Sequence, residues 1–290
     1  MTTAICAFMK KENQFIDEWL SYHISIGIDK FVIFDNNDGF EDYPMTEYVS
    51  RQAAAKRVKI INRRNVKLDK EKDIKMIYDS CRTDWICFLD IDEFIYVEDG
   101  LSIKDALSKE CYAGCSNIVM PSIVYSDTNN IYCDENHTVI NRFSEISVFK
   151  SKYANILKSF IKTGISKYDK ISPQGILKHG LISVTSSGNS ISLEYPMIKF
   201  SDVYPIVIHS YPTKSLEEYC TIKMPRSTGY DKTKIEEYKE KYFSVNKRTA
   251  DKEALFDAFI NTTYDTDETT ERMHSYAEFN FGDGQSDNAD

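Results

Sequence analysis

No run of 18 apolar residues occurs anywhere in this 290-residue chain, so no membrane-spanning helix is encoded. No Cys-x-x-Cys occurs among its seven cysteines, at 6, 81, 87, 111, 115, 133 and 220. An odd, scattered set disfavours both a zinc site and a disulfide framework and fits a reducing cytosol. No Gly-rich loop of the Walker type is present, and no basic stripe stands out, so nucleic acid is not an expected partner. The net charge is −9, of which the segment from Asp265 onward supplies −7, with eight acids against one base, Arg272. No signal-peptide pattern opens the chain. The first strand-like run begins within a few residues of Met1, so no stalk is expected before the fold. There is no internal repeat.

What the chain does have is a βα rhythm. Four strand-like runs, Ala4–Phe8, Phe31–Phe34, Val58–Ile61 and Trp85–Leu89, begin about 27 residues apart, the spacing of successive strand–helix–strand units. Between the first two, Phe15, Ile16, Trp19, Leu20, His23 and Ile24 share one helical face over roughly 12–26, and Gly27 is placed to end that helix. His23 reads as core on that face, not as a ligand. Ile74, Ile77 and Cys81 mark a second helix over 69–81. Alternation of this kind predicts an α/β fold with a Rossmann-like, mostly parallel sheet flanked by helices.

After Gly100 the rhythm changes. A short helix over 102–107 leads to strand candidates at 117–124, 138–143, 147–149, 181–185 and 207–208, a mixed α+β half. Ser215-Leu-Glu-Glu218 is a capping box opening a helix that Pro225 is expected to end. Further helices follow over 236–242 and 251–260. The expected organisation is one domain over 1–230, with a nucleotide-binding half to about 100 and an acceptor half after it. A helical extension over 231–281 and a disordered acidic tail over 282–290 complete it.

The most informative stretch is Trp85-Ile-Cys-Phe-Leu-Asp90-Ile-Asp92-Glu93-Phe94. A strand apolar on both faces delivers two carboxylates to its C-terminal end, where open α/β sheets bind ligands. Asp-x-Asp is a hard-oxygen pair suited to Mg²⁺ or Mn²⁺, ions that keep positions open for water and substrate phosphates.

Three other segments accompany it: Ile5 to Asn13 with Glu18-Trp19, His23 and Gly27; Phe31-Val-Ile-Phe-Asp35-Asn36-Asn37-Asp38; and Ile208-His209-Ser-Tyr211-Pro-Thr-Lys214-Ser215 continuing to Lys223-Met-Pro-Arg226. In this order the four segments resemble the glycosyltransferase family 2-like group and glycosyltransferase family 92, over roughly residues 3–230. Lys11 before Glu12 and Ser227 after Arg226 depart from the family pattern.

The resemblance implies a GT-A fold. It also implies transfer of a hexosyl group from a nucleoside-diphosphate sugar, UDP being the first candidate, to a glycan or lipid-linked polysaccharide-precursor hydroxyl, with inversion. By the same resemblance, Mn²⁺ or Mg²⁺ is held by Asp92 directly, by Asp90 through water unless it reads the ribose, and by His209 as third ligand. Lys214, Lys223 and Arg226 would neutralise the leaving diphosphate. Asp35, Asn36 and Glu12 would line the nucleotide pocket. An inverting transfer needs a carboxylate base, and Asp127, directly after a strand candidate, is the expected one. Glu93 would support the site by hydrogen bonding. Such an enzyme would be cytoplasmic, with peripheral contact at the inner membrane. Two other readings of the Asp pair stay open at this point: a nucleotidyltransferase or metal phosphohydrolase, and a non-catalytic carbohydrate-binding domain of the same fold.

Overall fold

A computed structural model describes residues 1–38, 45–50, 55–98, 100–147, 157–194, 204–229 and 231–264. The chain divides into two compact units. The first comprises Met1–Tyr125 and Lys150–Pro212; the second comprises Ser126–Phe149 and Thr213–Asp290. This division departs from the expected boundary near 230, because 126–149 and the segment from Thr213 group with the C-terminal helices. The tail over 282–290 and part of the 147–149 strand candidate lie outside the described residues.

All the described strands belong to the first unit. In chain order it holds β1 (Thr3–Met9), α1 (Ile16–Ser25), β2 (Lys30–Asp35), α2 (Met45–Ser50), β3 (Val58–Asn62), α3 (Lys70–Ser80), β4 (Trp85–Leu89), β5 (Glu93–Val97), α4 (Ile103–Leu107), β6 (Asn117–Met120) and β7 (Ser122–Val124). After the insertion that joins the second unit come β8 (Lys158–Lys162), β9 (Lys170–Ser172), β10 (Gly175–Leu177), β11 (Ser183–Thr185) and β12 (Ile206–Ser210). The main sheet has seven strands in the order β11-β6-β8-β4-β1-β2-β3. β4, β1, β2 and β3 run parallel, as do β11 and β6, while β8 runs antiparallel between β4 and β6. The mixed α/β class with a mostly parallel sheet is thus as expected. β4 and β1 are apolar and almost entirely buried, the pattern of strands covered on both faces. α3 packs Ile74, Ile77 and Tyr78 onto the core formed by Ala4, Cys6, Phe34, Ile86 and Phe88.

A second sheet, β5-β12-β7, stands beside the first. β5 is its edge strand, and helix α1 seals that edge with side chains. Trp19 Nε1 donates to the Glu93 carbonyl at 2.9 Å, Tyr22 Oη donates to the Ile95 carbonyl at 2.9 Å, and the Ile95 N–H donates to His23 Nε2 at 3.3 Å. Covering an edge in this way removes a template for aggregation. α1 ends where Gly27 takes φ +103°, a conformation open to glycine.

The second unit is helical: α5 (Val139–Arg142), α6 (Leu216–Glu218), α7 (Met224–Thr228), α8 (Ile235–Phe243) and α9 (Ala250–Tyr264). Two expectations are corrected here. The strand expected over 138–143 is α5, because the Thr138 side chain accepts the Asn141 N–H and caps a helical turn, which outweighs the β-branched run Thr138-Val-Ile140. Pro225 does not end the helix begun at Ser215. A π turn, Tyr219–Lys223, joins α6 to α7, and Pro225 falls in the first turn of α7. The Ser215 capping box forms as expected, with Glu218 reaching back to the Ser215 N–H. The same Glu218 takes a paired contact from Arg142 at 2.7 and 2.8 Å. The unit's core gathers Leu216, Tyr219, Met224, Tyr242, Phe243, Phe256 and Ile260.

Candidate active site

β1 to β4 all point their C-terminal ends to one edge, and β1 lies between β4 on one side and β2–β3 on the other. The crevice at such a reversal is where open α/β sheets take ligands. Asp90, Ile91, Asp92 and Glu93 form a tight turn there, closed by Glu93 N–H donating to the Asp90 carbonyl at 3.1 Å. The Glu93 carboxylate folds back and accepts the Asp90 N–H at 2.9 Å. Glu93 therefore clamps the turn, the supporting role read from the sequence.

A lysine completes the arrangement. β8 runs antiparallel to β4, so its first residue, Lys158, arrives at the C-terminal end of β4. Its ammonium lies 2.9 Å from Asp90 Oδ2 and 3.0 Å from Glu93 Oε2. The side chains of Lys158 and Glu93 are 6% and 4% exposed, while that of Asp90 is 50% exposed. Burial pushes the Glu93 carboxyl up to about 7, against the pull of Lys158 and with help from the Asp90 and Asp92 charges. Burial also works against Asp90, but the Lys158 ammonium holds its carboxyl below the usual range. Lys158 itself keeps its proton more firmly than an ordinary lysine: the two carboxylates overcome the cost of burial. The sequence marks Lys158 by resemblance alone: Lys158-Ser-Phe160 resembles a further block of the same families, expected to line the donor or acceptor cleft.

The remaining expected residues fall as follows. Asp35 is buried at the end of β2, where its carboxylate accepts the backbone N–H groups of Asn37 at 3.1 Å and Met45 at 2.9 Å, with Arg64 at 3.6 Å. Asp35, expected to line the nucleotide pocket, thus holds the backbone at Asn37 and Met45. Asn36 is half-buried beside it and donates its backbone N–H to the Met9 carbonyl, joining the ends of β1 and β2. Glu12 is buried at the end of β1, opening a single turn through Phe15. Arg64, whose one signal in the sequence is its place just after β3, also donates to the Asp38 carbonyl at 2.6 Å.

His209 was expected as the third metal ligand. On β12 it stands opposite Phe94 of β5, two positions from Tyr211, whose N–H donates to the Asp92 carbonyl at 2.8 Å. Its ring stacks on Tyr96 at 5.0 Å, and its Nδ1 faces the Tyr125 hydroxyl at 3.4 Å. Burial lowers its pKa to about 4, so the imidazole is neutral near pH 7. Among the described residues no group of three or more His, Cys, Asp or Glu side chains is arranged to hold a metal ion. His209 is the penultimate residue of β12, set among aromatic side chains. The protein donors fit a hard cation only partly: Asp90 and Asp92 on one turn supply carboxylate oxygens. Mg²⁺ and Mn²⁺ are commonly held by one or two carboxylates with water and phosphate oxygens filling the rest of the shell.

Asp127, Lys214, Lys223 and Arg226 belong to the helical unit. Lys214 is buried with φ +54°, Lys223 ends the π turn, and Arg226 lies in the last turn of α7. Asp127 was expected as the base. Its carboxylate is 2% exposed, accepts from Lys252 Nζ at 2.6 Å and from the Tyr242 hydroxyl, and its backbone N–H donates to Asn246 Oδ1. These bonds tie the segment after β7 to α8 and α9.

No protein-family profile matches the chain. Two curated relatives do. A glycosyltransferase family 92 protein of Ricinus communis is 28% identical over 114 residues, 38% of this chain and 20% of the relative. One of Oryza sativa subsp. japonica is 27% identical over 119 residues, 36% of this chain and 18% of the relative. The match thus spans about a fifth of those relatives' own length. Among solved structures, the chain is similar to an active-site mutant of LgtC at 10% identity and TM-score 0.37, covering 87% of this chain and 99% of that one. It is similar to residues 1–349 of S. aureus TarS in complex with UDP-GlcNAc at 10% identity and TM-score 0.37, covering 96% and 80%. At these scores the structural likeness assigns no residue a role. The family resemblance drawn from the sequence is borne out: over somewhat more than a third of its length the chain is similar to glycosyltransferase family 92 proteins.

Proposed function

We propose that this chain is a divalent-metal-dependent glycosyltransferase that moves a sugar from a nucleoside-diphosphate sugar, UDP-linked in the first instance, to a hydroxyl of a glycan or lipid-linked precursor. The observation that carries the reading is the Asp90–Glu93 turn at the C-terminal end of β4, held by Glu93 and Lys158 beside the reversal of strand order. The similarity to family 92 proteins supports the reaction class.

The chemistry follows from charge. As the glycosidic bond breaks, the diphosphate gains negative charge, and stabilising that charge lowers the barrier. A bound Mn²⁺ or Mg²⁺ would supply a Lewis acid for those oxygens. Asp92 and Asp90 would hold it, and the Glu93 clamp fixes the turn that presents them. Glu12 and Asn36, at the ends of β1 and β2, are proposed to line the nucleotide side. Among the described residues no helix is long and apolar enough to cross a membrane. The proposed setting is the cytoplasm, with a lipid-linked acceptor met at the membrane surface.

The test is donor consumption. The protein with Mn²⁺ is offered a panel of nucleotide sugars, and release of free nucleotide is measured. A UDP-sugar is expected to be consumed, with activity lost on chelation. If no nucleotide sugar is bound or consumed with any divalent ion, the proposal fails. Release of sugar 1-phosphate in place of a nucleoside diphosphate would mark a nucleotidyltransferase or phosphohydrolase instead.

A further inference from the structure

Lys158 is a buried lysine placed where a metal site is proposed. Its ammonium is 2.9 Å from Asp90 and 3.0 Å from Glu93, on a strand that reaches the end of β4 only because it runs antiparallel there. We propose that Lys158 is a positioning residue acting as a resident counter-ion of the carboxylate turn. It holds Asp90 and Glu93 in place and keeps affinity for a divalent ion low until a diphosphate arrives with it. This inference rests on the metal–diphosphate reading above.

Electrostatics accounts for such a role. Three carboxylates, Asp90, Asp92 and Glu93, crowd into four consecutive residues. Without a cation among them they would repel one another and draw a divalent ion strongly. Lys158 offsets one of those charges from a side chain that is 6% exposed, where solvent screens it little. A divalent ion on the other oxygen of Asp90 would lie on the order of 5 Å from the ammonium. At an effective dielectric constant of about 20, repulsion across that gap exceeds tenfold in a binding constant. A diphosphate carries negative charge of its own and offsets the lysine. Metal and nucleotide therefore bind together far better than metal alone, and loss of the nucleotide product also loosens the metal.

The test compares wild type with Lys158→Met and Lys158→Arg. Binding of Mn²⁺ alone is followed by electron paramagnetic resonance, binding of Mn²⁺ with UDP by calorimetry, and folding by circular dichroism. Lys158→Met is expected to bind Mn²⁺ alone at least tenfold more tightly than wild type, with a smaller gain on adding UDP. Lys158→Arg, which keeps the charge, is expected to behave as wild type. A role in packing alone would lower the melting temperature and leave Mn²⁺ affinity unchanged, and that result overturns the proposal. If Lys158→Met fails to fold, Glu93→Gln replaces it. With the lysine kept and one carboxylate removed, it should bind Mn²⁺ alone more weakly, and unchanged or tighter binding overturns the proposal. A wild type that binds Mn²⁺ and UDP but consumes no nucleotide sugar would sink the glycosyltransferase reading and leave the Lys158 result standing.

Discussion

His23 carries a stability that acid should remove. Its ring is fully buried between Trp19 and Phe94. Nδ1 donates to the Trp19 carbonyl at 2.8 Å and Nε2 accepts the Ile95 N–H at 3.3 Å, so the neutral ring satisfies both neighbours. A proton on Nε2 would turn that acceptor into a second donor facing the Ile95 N–H. Burial lowers the pKa to about 3, against about 6.5 in the unfolded chain. The unfolded state binds the proton first, so the stability is fully present above about pH 6.5 and falls as pH drops toward 3. Each pH unit is worth about 1.4 kcal/mol, so the loss is about 2 kcal/mol at pH 5. The assay is urea unfolding at pH 7, 6 and 5 of wild type and His23→Phe. At pH 7 the variant should be less stable by about 1–3 kcal/mol, because the Ile95 N–H and Trp19 carbonyl lose their partner. Between pH 7 and 5 the gap should narrow by about 2 kcal/mol, since phenylalanine has no proton to gain. Acid effects from other groups cancel in the difference. A gap that stays constant would show that His23 is not held neutral by the fold.

Other outcomes follow from the observed positions. Asp127→Asn should destabilise the protein by about 3–5 kcal/mol in chemical denaturation, because it leaves the Lys252 ammonium buried without its partner; a loss of activity with full stability would instead support Asp127 as the base. Pro225→Ala should shift the unfolding midpoint little, within about 0.5 kcal/mol, since the proline sits in the first turn of α7; a loss several times larger would mean the π turn depends on it. Arg142→Met should cost about 3–5 kcal/mol by stranding Glu218, whose carboxylate is buried and already caps α6; thermal unfolding that matches wild type would remove that pair from the account.

The parallel half of the sheet was legible because β1, β2, β3 and β4 are apolar runs at regular spacing, and each was found within a residue or so of its expected bounds. The turn at Asp90 was legible for the same reason: a buried strand must end, and its end is marked by charge. β5 and β8 were not. β5 opens on Glu93, and β8 is bracketed by Lys158 and Lys162, so their first letters read as loop. Only the tertiary pairing of Lys158 with Asp90 and Glu93 makes a buried lysine tolerable there. His209 shows the converse limit. The strand end at His209 was legible, the fourth of five residues of β12, but its aromatic neighbours on β5 and after β7 are contacts that no local pattern encodes. The partners of Asp127, Tyr242 and Lys252, lie 115 and 125 residues away, out of reach of any local pattern.

The central claim is that the Asp90–Glu93 turn holds a divalent ion for a nucleoside diphosphate, and calorimetry of UDP binding tests it most directly. Wild type and Asp92→Asn are titrated with UDP in Mn²⁺ and again in chelator, and melting is measured on both. Wild type should bind UDP with Mn²⁺ and lose that binding in chelator. Asp92→Asn should melt close to wild type yet lose the Mn²⁺-dependent binding, because the amide keeps the side chain's shape and removes its charge. Equal UDP affinity in the two proteins, or wild-type binding indifferent to the metal, would contradict the account.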